Sequence, residues 1–103
     1  MMKNNQRIEI VVGSTHLQQL IRKIEKAGAT GWTLIHNVSG LGGRGPQAAD
    51  ELSGASSNAY LLVAVPDDLV EPITAAAQPI LQEAGGLCLV SPCQRLIHHE
   101  NEA

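Results

Sequence analysis

The chain has 103 residues, 44% of them hydrophobic and 17% charged, which supports one packed domain over residues 1–103 and excludes a disordered chain. Aromatic residues supply only 2% (Trp32, Tyr60 and no Phe), which excludes the stacking platforms that hold single-stranded nucleic acid. Ten acids outnumber seven Lys and Arg, giving a net charge of −3; no basic stripe is left to track a phosphate backbone, so no nucleic acid partner is expected and any bound anion should be small.

In chain order, Arg7 to Val12 alternates with period two before Gly13 and predicts a first strand. Thr15 stands three residues before Gln18, the spacing of a capping box. Leu17, Leu20, Ile21, Ile24 and Ala27 then follow the stripe of an amphipathic helix, which Gly28 stops. Trp32 to Val38 alternates again and predicts a second strand. Residues 39–57 carry five glycines and a proline with few large apolar groups, so a long loop is expected there, of the kind that is commonly functional.

Ala59 to Val65 is a continuous apolar run closed by Pro66, a third strand. Asp67 and Asp68 offer caps, with Glu71 three after Asp68, for a second helix whose stripe runs Leu69, Val70, Ile73, Ala76, Ala77, Ile80, Leu81 and Ala84. Pro79 should cost that helix a hydrogen bond. Gly85 and Gly86 end it, and Leu87 to Val90 predicts the last core strand, with Gln94 to Ile97 as its extension past Pro92. Residues 98–103 read as a polar tail.

The order strand, helix, strand, long loop, strand, helix, strand is that of an α+β, ferredoxin-like βαββαβ sandwich with both helices on one face of the sheet. Residues 59–65 and 87–90 are apolar toward both faces, more than one helix-covered face can bury. Other copies of the chain are therefore expected on the helix-free face. Cys88 and Cys93 match neither a zinc knuckle nor a redox pair, and read as small buried residues of a cytosolic protein. The polar residues 1–6 offer no signal sequence and no apolar run reaches the ~20 residues of a membrane span, so a cytoplasmic location is expected.

Gly40-Leu41-Gly42-Gly43-Arg44-Gly45 matches G-x-G-x-x-G after a strand, but no helix opens there and no acid follows at the ribose spacing, which excludes the dinucleotide reading. A Walker A loop fails for want of Gly-Lys-Ser/Thr. What remains is a run of glycines whose backbone N–H groups can form an anion nest, with the planar fork of Arg44 inside it. A transition-metal site drawn from His36, His98, His99, Cys88 and Cys93 is the rival, although the adjacent His98 and His99 should diverge if they lie on a strand. Ser39, Ser53, Ser56 and Ser57 lack an assigned base, so no enzyme and no catalytic residue is predicted.

Residues 29–35 (ATGWTLI) and 38–45 (VSGLGGRG) resemble strand two and the loop base of PII-type signalling proteins. Asn58-Ala59-Tyr60 is similar to the point where that loop re-enters the sheet, and Gly85 to Ser91 resembles the last core strand of the carboxysome-associated, bicarbonate-linked PII-like branch. The resemblance implies a homotrimer that binds adenine nucleotide in the clefts between subunits, with ADP or AMP linked to bicarbonate and no tightly bound cofactor. By position it implies nucleotide contacts from Ser39, Gly40, Gly42, Gly43, Arg44 and Gly45, from Gly85, Gly86 and Leu87, and from Arg95. The long loop would change order with ligand and dock on a protein partner, a transporter or carboxysome component.

Two departures refine that reading. The second nucleotide loop is shortened to Glu83-Ala84-Gly85-Gly86 and lacks the family's lysine, which favours ADP or AMP over ATP. Residues 46–57 contain no Tyr, so the family's uridylylation switch has no acceptor here. The expected function is a regulatory sensor.

Overall fold

The structure, a computed structural model, describes residues 1–42, 45–47 and 57–99. Its elements are β1 (Met2–Gly13), α1 (Leu17–Lys26), β2 (Thr33–Val38), β3 (Gly40–Gly42), β4 (Gly45–Gln47), β5 (Asn58–Val65), α2 (Val70–Ala84) and β6 (Leu87–Leu96). Four strands form an antiparallel sheet in the order β2-β5-β1-β6, and β3 pairs β4 in a separate ribbon. The expected βαββαβ sandwich is present.

Period-two alternation explains how one face of this sheet became the core. Ile8, Ile10 and Val12 of β1 lie beside Val63, Leu61 and Ala59 of β5, and all six are buried. Against them α1 presents Leu17, Leu20, Ile21 and Ile24, and α2 presents Ile73, Ala77 and Ile80. A buried aliphatic side chain contributes about 1.5–3 kcal/mol, so this single layer carries the fold without aromatic help. No helix among the described residues is long and apolar enough to cross a membrane.

Helix ends depart from the sequence expectation. Ser14–His16 winds as a 3-10 turn and α1 begins at Leu17, so Gln18 is too early for a capping box; the Thr15 hydroxyl instead shares a 3.1 Å hydrogen bond with His16 Nδ1. Asp67–Leu69 is likewise a 3-10 turn, and Asp67 accepts a hydrogen bond from Gln6 Nε2 (3.0 Å) rather than capping α2. Gly28 fills its predicted role, with φ +122° and its N–H donating to Glu25 O at 3.1 Å. Pro79 sits inside α2 on its exposed side, and the helix continues through it to Ala84.

The first and last strands of the chain run longer than their apolar cores. β1 starts at Met2, and its polar segment Lys3 to Asn5 pairs only with Cys93 to Arg95 of β6. β6 runs unbroken through Pro92, which an edge strand tolerates because one side of its backbone has no partner strand.

Candidate functional site

The long loop leaves the sheet at one end of β2 and returns at the start of β5. A bulge between His36 and Val38 holds Asn37 at φ +59°, re-aiming the chain as it exits. On the return side Ser57 and Asn58 are buried. Ser57 O accepts a 2.8 Å hydrogen bond from Ser14 N, and the two serine hydroxyls lie 2.9 Å apart. Asn58 Nδ2 donates to Val38 O at 3.5 Å, tying the exit to the re-entry. The loop base is thus clamped by groups of β2, β5 and the turn after β1.

Beyond Ser39 the glycines form regular structure where the sequence predicts loop. Gly40, Leu41 and Gly42 pair with Gln47, Pro46 and Gly45, an antiparallel ribbon rising from the sheet end. Gly43 and Arg44, the two residues between paired Gly42 and Gly45, lie outside the described residues, as do residues 48–56 of the expected loop and residues 100–103 of the expected tail.

The second predicted group, Gly85 to Leu87, turns α2 into β6. Gly85 has φ +76° and donates to Leu81 O at 2.8 Å, and Gly86 has φ +128°. A Cβ on Gly86 would collide with the Val11 carbonyl oxygen, so glycine is required there by close packing alone. Leu87 pairs Val11 and is 50% exposed on the helix-free face.

These groups do not converge within one chain. Ser39 follows β2 at one edge of the sheet and Leu87 opens β6 at the other edge, about 14 Å away across three strand spacings. Arg95 pairs Lys3, eight residues along β6 from Leu87, which places it about 26 Å toward the opposite end. Its neighbour across the ladder, Lys3, is not singled out by sequence; only the strand register brings the two cations together.

The metal-ligand candidates are also dispersed. Among the described residues no three His, Cys, Asp or Glu side chains gather into a metal-holding group. Cys88 lies beside Ile10 on the helix-covered face, where burial pushes its thiol pKa up, whereas Cys93, five residues on, lies on the other face beside Asn5. β6 ends at Leu96, so His98 and His99 are not held on alternate faces of a strand; their rings lie 4.5 Å apart edge to face instead of diverging. A shallow groove of about 500 Å³ between α2 and β6, lined by Glu71, Thr74, Gln78, Leu81, Cys88 and Val90 among others, includes none of the predicted nucleotide-binding residues and, of the metal-ligand candidates, Cys88 alone.

The helix-free face carries a polar chain that sequence reasoning missed. Tyr60 OH donates to Glu9 Oε2 at 2.7 Å, and Arg7 Nε lies 3.4 Å from Glu9 Oε1 and 3.3 Å from Ser91 Oγ. The hydrogen bond to Glu9, with burial and the carboxylate's charge, raises the Tyr60 pKa above 10, and the Arg7 cation opposes the rise. Around this chain Ile35, Leu87 and Leu89 are 52%, 50% and 52% exposed.

The backbone as a whole is shared with proteins of known structure. It matches CPII, a nitrogen regulatory PII-like protein from Thiomonas intermedia K12 bound to ADP, AMP and bicarbonate, with TM-score 0.84 and 24% identity over 92% of this chain and 91% of that one. A second structure of CPII with the same ligands gives TM-score 0.78 and 25% identity over 92% and 98% of the two chains. The GlnK–ATP complex of B. subtilis gives TM-score 0.63 and 18% identity over 87% and 82%. No curated protein sequence matches the chain significantly. The family model described as nitrogen regulatory protein P-II matches residues 5–100, a span from β1 through the whole sandwich and both predicted loops, and the chain therefore belongs to the P-II family.

Proposed function

We propose that this chain is a cytoplasmic, non-enzymatic regulatory sensor that binds ADP or AMP in the clefts of a homotrimer, coupled to bicarbonate. It signals through ordering of loop 39–57 to a protein partner in inorganic-carbon metabolism. The observation that carries this reading is the likeness over nine-tenths of the chain to CPII, whose structures hold ADP, AMP and bicarbonate.

The geometry supports a site between subunits. Ser39 with Gly40, Gly85 to Leu87, and Arg95 occupy three separate corners of one sheet, so a nucleotide that touches all three must draw them from neighbouring copies. Gly42, Gly43, Arg44 and Gly45 supply the proposed phosphate nest, in which N–H groups and a guanidinium favour a small anion. The clamp of Ser14, Ser57 and Asn58 gives the loop a fixed base. Fixing each further residue costs about 1–2 kcal/mol of backbone entropy, which phosphate contacts at the base would offset.

Isothermal titration of ADP, AMP and ATP, each with and without bicarbonate, tests the reading. ADP or AMP should bind more tightly than ATP, bicarbonate should change their affinity, and Arg44→Ala should weaken binding at least tenfold, about 1.4 kcal/mol. The absence of heat with all three nucleotides in both buffers overturns it.

A further inference from the structure

The helix-free face of the sheet combines exposed aliphatics with the internally paired Arg7 and Glu9, and by register the cations Lys3 and Arg95 lie on the same side toward its far end. By register, Arg7, Glu9 and Val11 of β1, Tyr60 and Leu62 of β5, Thr33 and Ile35 of β2, and Leu87, Leu89 and Ser91 of β6 share it. Ile35, Leu87 and Leu89, at about half exposure, leave more apolar surface open than an isolated chain gains from. Glu9 is the one acid on these four strands' open side.

The polar chain is only part satisfied. A guanidinium carries five N–H donors, and among the described residues Arg7 engages only Nε, leaving both terminal amino groups available. Glu9 accepts from Tyr60 through Oε2 and faces Arg7 through Oε1, which leaves carboxylate lone pairs to spare. Asn5, also on β1, is 3% exposed and its Oδ1 has no hydrogen-bond partner among the described residues. Covering this face with purely apolar groups would strand the open donors of Arg7 and acceptors of Glu9, which a polar partner would satisfy. A second copy of the same face brings one carboxylate, its Glu9, for the Arg7 guanidinium.

We propose that the Arg7–Glu9–Tyr60 chain continues between copies: the terminal N–H groups of Arg7 in one subunit donate to Glu9 of the next, and this head-to-tail pairing fixes the register and the number of subunits. A head-to-tail contact closes into a ring when the rotation it imposes returns to the first copy, and each copy of the ring then donates once and accepts once. Aliphatic contact supplies the attraction without direction, and the polar chain supplies the direction, because any other register buries unpaired charge. The inference rests on the homotrimer reading above, which it deepens by naming the residues that select the trimer.

Native mass spectrometry and light scattering on the full chain test it. Wild-type protein should be trimeric. Arg7→Glu and Glu9→Arg should each shift the mass toward monomer, because each places like charges face to face. The double variant Arg7→Glu/Glu9→Arg should restore the trimer, since every seam of the ring then again faces one carboxylate with one guanidinium. The gentler Glu9→Gln and Tyr60→Phe, checked for native helix content by circular dichroism, should give mixed stoichiometries. A trimeric wild type whose variants stay trimeric, or a natively folded double variant that stays monomeric, overturns this inference and leaves the trimer standing. A monomeric wild type overturns the trimer and the pairing together.

Discussion

On the face of the sheet that carries the two helices, Ile8, Ile10, Leu61 and Val63 are sealed from solvent, whereas on the other face Ile35, Leu87 and Leu89 are about half exposed. The two faces share the same four strands and differ in what covers them. The helix-covered face is completed by residues 17–26 and 70–84 of the same chain, with aliphatic contact alone. The open face carries Arg7, Glu9 and Tyr60 among its aliphatics, a mixture unsuited to a dry monomer core but suited to a surface that must find one partner in one register. One face specifies that the chain folds; under the proposed pairing the other specifies with what it assembles.

Truncation separates the two roles most sharply. Ile10→Ala removes a fully buried side chain from the centre of the sheet and should cost about 2–5 kcal/mol of folding stability, read by chemical denaturation. Leu89→Ser, on the opposite face, should instead reduce the dependence of melting temperature on protein concentration, because it weakens assembly rather than the subunit core. Equal losses that do not vary with concentration would break the contrast between the faces.

The hinge between α2 and β6 gives the next largest effect. Gly86→Ala meets φ +128° and the Val11 carbonyl, and should cost at least about 1–3 kcal/mol. Gly31→Ala is the control: no atom lies within 4 Å of its added Cβ, so stability should change by less than about 0.5 kcal/mol. If Gly86→Ala lowers nucleotide affinity with no stability loss, then Gly85 to Leu87 acts through ligand contact rather than through the fit of the turn.

Period-two and period-3.6 patterns made the element order legible, because each strand and helix must bury one face. Polar Lys3, Asn4 and Asn5 were not legible as strand, since their partners in β6 lie ninety residues away and only register reveals the pairing. Capping failed where 3-10 turns precede both helices and displace Thr15 and Asp68 from the cap position. The glycine loop was visible as a motif, yet its ribbon pairing was not, and neither was the separation of Ser39, Leu87 and Arg95. That separation follows from strand order, which no local spacing encodes. Tyr60 and Glu9 were likewise invisible as a pair, being 51 residues apart and diagonal across two strands.

The smallest effect addresses the open face directly, through the chain's one tyrosine. Tyrosinate absorbance on raising the pH therefore reads a single group, and its midpoint should lie above the ordinary value of 10. The folded state holds the phenol proton more tightly than the unfolded chain does. The stabilisation is thus complete below about pH 10 and is lost as the pH climbs from there through the raised folded value. Glu9→Gln removes the carboxylate that raises the midpoint, and should bring it down toward 10. Arg7→Met removes the opposing cation and should push it slightly further up. A midpoint indifferent to Glu9 would mean that the 2.7 Å contact does not persist in solution, and the open face would then lose the polar link between β5 and β1.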